Sequence, residues 1–160
     1  MRRLIKIHQP KASWQEILLD LIGGALVIGA LAVITDLTKM PLLWAPFGGT
    51  AVIVFAAHRS PFAQPMNVLG GHLLSAVISL VMVAVLPQNT WTLMLTVGVV
   101  IAAMRFARVT HPPAGANPIV IHLANPSWFV VLPALAVGSV AILVLGWLLH
   151  RITRTEYPIK

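Results

Sequence analysis

Of the chain's 160 residues, 58% are hydrophobic and 9% charged, and the mean hydropathy is +0.89. That leaves too little polar surface to coat a water-soluble domain, so the chain reads as an all-α membrane protein embedded in a lipid bilayer. The formal net charge of +7 is concentrated at both chain ends and in two short loops, a pattern that marks membrane orientation and argues against nucleic-acid binding. The absence of cysteine excludes disulfides, thiolate metal sites and cysteine nucleophiles.

Six apolar membrane segments follow in chain order, at residues 16–38, 41–58, 67–86, 90–109, 112–124 and 127–150. Arg2, Arg3, Lys6 and Lys11 precede the first and give it the look of a secretory signal. Its apolar run is too long for that, so it reads as a retained span. With both termini cytoplasmic, Arg2, Arg3, Lys6, Lys11, Arg59, Arg105, Arg108, Arg151, Arg154 and Lys160 all fall inside and only Lys39 lies outside, as the positive-inside rule prefers. The expected localisation is a multi-pass protein of a bacterial inner membrane.

The second and fifth segments carry matching interruptions. Residues 46–54 and 113–121 both read Pro, any residue, Gly, a small residue, Thr or Asn, then an aliphatic stretch. Paired broken segments in two halves of a membrane chain point to a solute site at the midplane, because irregular backbone survives at that depth only around a cavity. The expected architecture is a 3+3 inverted repeat, with halves at about 16–87 and 88–151 in a single domain. Segments 2 and 5 are each expected to break into an extended arm plus a half-helix. The second half-helix is expected to start at Thr50 after Gly48 and Gly49 have unwound the chain, and the fifth at Asn117 with Pro118 in its first turn.

Two such N-termini converging at mid-depth favour an anion. Each dipole contributes only about 0.3–2 kcal/mol, against several kcal/mol for dehydrating an ion, so hydrogen bonds from Thr50, Asn117 and nearby backbone must complete the site. The candidate substrate-binding set is Phe47, Gly48, Gly49, Thr50, His72, Ala114, Gly115, Ala116 and Asn117. His111 groups in sequence with Arg105 and Arg108 as a basic cluster at the inner end of the fourth segment. Small residues four apart, Ala25/Gly29, Gly71/Ser75, Gly98/Ala102 and Ala134/Gly138, permit close helix approach within one chain or between subunits. Zinc-protease, nucleophile-elbow and phosphate-loop motifs are absent, so neither catalysis, a metal nor a cofactor is expected.

The stretches Ala45 to Ala51, Ser60 to His72 and His111 to Ala116 resemble the HPP family of integral membrane proteins, named for the tripeptide present here as His111-Pro112-Pro113. The resemblance implies a compact all-helical module. Because members in chloroplasts and cyanobacteria are associated with nitrite transport, it also implies a small monovalent anion as substrate. Asn117-Pro118 and Met66 depart from the family pattern. A non-transporting membrane scaffold or partner subunit is the competing expectation. So small a chain with two interrupted segments is expected to form a homo-oligomer, a dimer before a trimer.

The topology is directly testable in this cysteine-free chain. A single cysteine at Arg59 is expected to resist impermeant thiol reagents applied from outside, and one at Lys39 to react. External labelling at Arg59 contradicts the six-segment topology.

Overall fold

The computed structural model describes Ile7 and residues 9–159. Arg2, Arg3, Lys6 and Lys160, assigned above to the cytoplasmic side, lie outside the described residues. The described chain is all helical, with α1 Trp14–Thr38, α2 Pro46–Ala56, α3 Pro65–Val85, α4 Thr90–Phe106, α5 Asn117–Ala124 and α6 Trp128–Ile152, plus two 3-10 turns at Pro61–Ala63 and Pro112–Ala116.

Local chemistry sets the helix ends. Ser13 caps α1 through a capping box: its hydroxyl accepts from the Glu16 N–H at 3.3 Å, and Glu16 Oε2 accepts from the Ser13 N–H at 2.6 Å. Asn89 caps α4 by accepting from the Thr92 N–H at 3.0 Å, and Ser127 caps α6. Lys39 closes α1 in the left-handed region at φ 60°. Thr35 Oγ1 then accepts from the Leu42 N–H at 3.1 Å, turning the following arm back along the helix.

Three helices, α1, α3 and α6, are long and apolar enough to cross a membrane. At 1.5 Å per residue, the 11 residues of α2 and 8 of α5 span only about 16 and 12 Å, against a hydrocarbon core of about 30 Å. The lipid-facing surface is correspondingly apolar: Phe129 and Phe106 are each 92% exposed, and Leu21, Leu26, Val33 and Leu37 lie open along α1.

The break in the second segment falls earlier than expected. α2 begins at Pro46, not Thr50, and Gly48 and Gly49 are helical; no glycine among the described residues has a positive φ. Proline at the first helical position gives up only an N–H that has no intrahelical partner, so Pro46 starts a helix instead of blocking one. The arm preceding it is non-helical through Trp44. The fifth segment has no extended arm: its first part is the 3-10 turn Pro112–Ala116, which leads directly into α5.

α2 is the centre of the packing because glycines on its neighbours make room for it. A Cβ at Gly23 of α1 would overlap the Phe55 ring, one at Gly138 of α6 the Phe47 ring, and one at Gly146 of α6 the Val54 methyl. Phe47, Val54 and Phe55 are consequently buried. Ala134 is also fully buried, so Ala134/Gly138 packs inside the molecule and cannot serve as a subunit surface. Gly98 and Ala102 of α4 remain exposed.

The tail after α6 folds back against the loop before α3. Tyr157 donates its hydroxyl to the Ala63 carbonyl at 2.8 Å, and the Ile159 N–H reaches Gln64 Oε1 at 3.0 Å. Burial pushes the Tyr157 phenol up from its ordinary ionisation range, keeping it a donor.

Gly138→Val is expected to destabilise the protein by about 1–3 kcal/mol, the usual cost of overpacking, whereas Gly98→Val, which meets open space within the chain, should be near neutral for the single subunit. Thermal unfolding in detergent distinguishes the two, and an unchanged midpoint for Gly138→Val contradicts this packing.

Candidate functional site

Thr50, in the second turn of α2, projects between two imidazoles. Its Oγ1 lies 2.8 Å from His72 Nε2 on α3 and 3.0 Å from His111 Nε2, just before the Pro112–Ala116 turn. The Pro46 carbonyl, one helical turn back, is 3.3 Å away. Asn117 at the start of α5 places Nδ2 3.2 Å from both His72 Nδ1 and the His72 carbonyl, while its Oδ1 accepts from the Trp44 indole N–H at 3.1 Å. His111 Nδ1 donates to the Phe62 carbonyl at 2.8 Å. Thr50, His72, His111 and Asn117 are all fully buried.

The protons in this cluster follow from partners that can only accept or only donate. The Phe62 carbonyl requires N–H at His111 Nδ1, so in the neutral ring Nε2 is a lone pair and takes the Thr50 hydroxyl proton. Thr50 Oγ1 then accepts from His72 Nε2–H. That leaves His72 Nδ1 as the acceptor facing Asn117 Nδ2, whose orientation is set by the Trp44 indole donating to the opposite amide oxygen. The two histidines thus hold opposite tautomers, and every polar atom in the chain of bonds has a partner. Such a satisfied buried network is rigid and specific, and costly to leave half made.

Neighbouring contacts support the geometry. The Phe47 ring meets His72 edge-on at 5.1 Å, the two imidazoles lie 5.0 Å apart, and Ser75 donates to the Ala114 carbonyl at 2.7 Å. A Cβ at Gly71 would collide with His111 Cβ at 2.7 Å and the Val109 carbonyl at 2.9 Å, so the α3 backbone can approach the His111 loop only because residue 71 is glycine. Asn67 holds the same loop by donating to the Thr110 carbonyl at 2.9 Å.

Of the candidate residues named from sequence, the structure brings Phe47, Thr50, His72, Ala114 and Asn117 together. Gly48 and Gly115 have open space where a side chain would be, and Gly49 packs against the Pro113 ring. With Ala116, these three stay outside the hydrogen-bonded cluster. Neither Thr50 nor Asn117 acts as an N-cap: Thr50 lies inside α2 and Asn117 directs its side chain to His72 and Trp44. The break points also keep fewer free backbone donors than expected, because the N–H groups of Phe47, Gly48, Ala114 and Asn117 close tight turns onto Trp44, Ala45, His111 and Ala114. Side chains, not helix N-termini, supply the donors.

Sequence reasoning misplaced His111, which is buried against Thr50 while Arg105 and Arg108 are exposed. It also missed Trp44 and the Phe62 carbonyl as partners. The equivalence of the two interruptions was the one available signal for His111, since it stands two residues before Pro113 as Trp44 stands two before Pro46.

A bundle of apolar helices enclosing a buried, fully paired polar cluster defines this molecule as an integral membrane protein. The model of the HPP transmembrane region matches residues 9–158, and the chain belongs to that family. A transmembrane protein of Dictyostelium discoideum is 31% identical over 146 residues, covering 85% of this chain and 47% of its own length. A second transmembrane protein from that organism is 32% identical over 131 residues, covering 76% and 46%. The chain therefore spans about half the length of these curated relatives. No solved structure matches it.

Replacing Thr50 with the near-isosteric valine strands a buried imidazole donor and a buried acceptor. Thr50→Val is expected to cost about 1–3 kcal/mol and Thr50→Ser much less. Equal unfolding midpoints for Thr50→Val and the native chain contradict the bridging role.

Proposed function

We propose that the chain transports a small monovalent anion, nitrite or a close analogue, through a site centred on Thr50, His72 and Asn117. The observation that carries this reading is the buried polar cluster itself, held by the two short helices and the turn before α5 inside an otherwise apolar molecule. Polar residues at membrane depth are expensive and mark solute pathways.

The cluster supplies what a two-oxygen anion needs. Trp44 Nε1–H, Thr50 O–H, His72 Nε2–H and Asn117 Nδ2–H are four donors now satisfied by protein acceptors, which the anion's oxygens would replace. At about 1.5–3 kcal/mol for each bond to a charged partner, four donors offset a dehydration cost of several kcal/mol without trapping the ion. The absence of any hydrogen bond from lysine or arginine to these groups among the described residues fits weak, reversible binding of a single negative charge. Phe47 forms an apolar wall beside His72, and in this reading a conformation with all four donors paired to the protein is the closed one.

In this reading the two halves, about 16–87 and 88–151, form an inverted repeat, each contributing two outer helices and one short inner one. The termini are cytoplasmic, the membrane is a bacterial inner membrane, and each subunit keeps its own site. Gly98 and Ala102, exposed on α4, offer a surface for close approach to a second copy, consistent with a dimer.

Proteoliposomes carrying the protein are expected to take up nitrite faster than protein-free vesicles, and Asn117→Ala to reduce that excess by at least about tenfold, the effect of losing roughly 1.4 kcal/mol of site interaction. Equal nitrite fluxes with and without the protein contradict the transport reading and favour a scaffold or partner subunit.

A further inference from the structure

We infer that the same cluster binds one proton at His111, so that anion movement is electroneutral proton–anion cotransport; this deepens, and rests on, the anion-transport reading. The geometry contains two complete hydrogen-bonding states that differ by one proton. In the first, both rings are neutral and the Thr50 hydroxyl donates to His111 Nε2. In the second, a proton from water forms an N–H bond at His111 Nε2, and the ring is doubly protonated while Nδ1–H still donates to the Phe62 carbonyl at 2.8 Å. Thr50 Oγ1 then accepts from both imidazoles, at 2.8 and 3.0 Å, and its own hydrogen turns to the Pro46 carbonyl at 3.3 Å. No covalent bond breaks within the protein, one hydroxyl hydrogen bond is exchanged for another, no heavy atom has to move, and the proton returns to water when the site empties.

The Pro46 carbonyl is the decisive element. A hydroxyl has one hydrogen and two acceptor lone pairs, and in the neutral state this contact is redundant. Once His111 becomes a donor it is the acceptor that keeps Thr50 satisfied, so the extra proton leaves no orphaned polar atom. His72 cannot take this role as readily, because its Nδ1 lone pair is held by Asn117 Nδ2.

The charge is also local. Among the described residues, His111 and His72 face each other and no carboxylate, lysine or arginine hydrogen-bonds to either ring. Arg105 of α4, Arg108 in the turn after it and Asp36 of α1 are exposed, and His122 of α5 makes no hydrogen bond to either ring. Glu16 and Asp20 of α1 and His58 in the turn after α2 line a separate crevice at the other end of α2, where His58 also meets His150 of α6. A proton on His111 therefore places an uncompensated positive charge next to the anion's donors, and a monovalent anion neutralises it.

Nitrite uptake into proteoliposomes, corrected for uptake by protein-free vesicles, is the test. At clamped zero membrane potential an inwardly directed proton gradient is expected to raise the initial rate several-fold and to acidify the lumen. A membrane potential of either sign at equal pH should change it little. In His111→Gln, which keeps a neutral donor and acceptor, the ratio of rates with and without the gradient should fall to one, whatever the residual rate. Nitrite flux that follows membrane potential and ignores the proton gradient overturns the proton inference while leaving transport intact. If protein and protein-free vesicles do not differ in nitrite flux, the anion reading fails, and proton titration of the detergent-solubilised protein decides the rest. One proton more taken up by the native chain than by His111→Gln, as pH is lowered from neutral to well below the ordinary histidine range because burial disfavours the charged ring, sustains proton binding, and equal uptake overturns it.

Discussion

One hydroxyl group between two imidazoles organises the interior of this protein. With both rings neutral, Thr50 Oγ1 satisfies His72 and His111 together by accepting from one ring and donating to the other. The surrounding structure imposes that asymmetry from both sides: the Phe62 carbonyl demands a proton on one nitrogen of His111, and Asn117, oriented by Trp44, demands a lone pair on one nitrogen of His72. The arm before α2, α2 itself, α3, the loop before the Pro112–Ala116 turn and α5 are tied together by this one run of bonds. In a low-dielectric interior such a chain is strong when complete and costly when broken.

The packing exists to bring these groups within reach. α2 is too short to cross a bilayer, and its side chains enter spaces that glycines leave on α1 and α6. Gly71 does the same for the approach of α3 to His111. In a membrane, close backbone approach substitutes for the hydrophobic drive that lipid removes, and here it seats α2 against α1 and α6 and α3 against the His111 loop, so that one threonine spans two histidines. The exposed apolar face of α1 has the complementary task of meeting lipid.

Much of this was legible in the sequence, for physical reasons that differ by residue. The long apolar runs announce helices, and the paired interruptions single out Thr50 and Asn117, because a polar residue following Pro and Gly within an apolar stretch has few structural excuses. His72 is visible as an isolated polar residue in an apolar helix. The helix starts were less legible: Pro46-Phe47-Gly48-Gly49 combines two helix breakers, yet a proline at the first position begins α2 and the glycines continue it. His111 was hidden by its basic sequence neighbours, which face outward while it faces in. Trp44 and the Phe62 carbonyl act across 73 and 49 positions of chain, and no spacing rule relates residues that far apart.

A fully paired polar cluster at the meeting point of short helices gives family membership a chemical content, and in the proposed transport reading its donors are the ones an anion would borrow. The most direct measurement is the nitrogen-15 spectrum of the histidines in lipid bilayers, with His72 and His111 assigned by single substitution. The account predicts opposite tautomers at neutral pH, hydrogen on Nε2 of His72 and on Nδ1 of His111, with the His72 signals moving when nitrite is added. The same tautomer in both rings would contradict it.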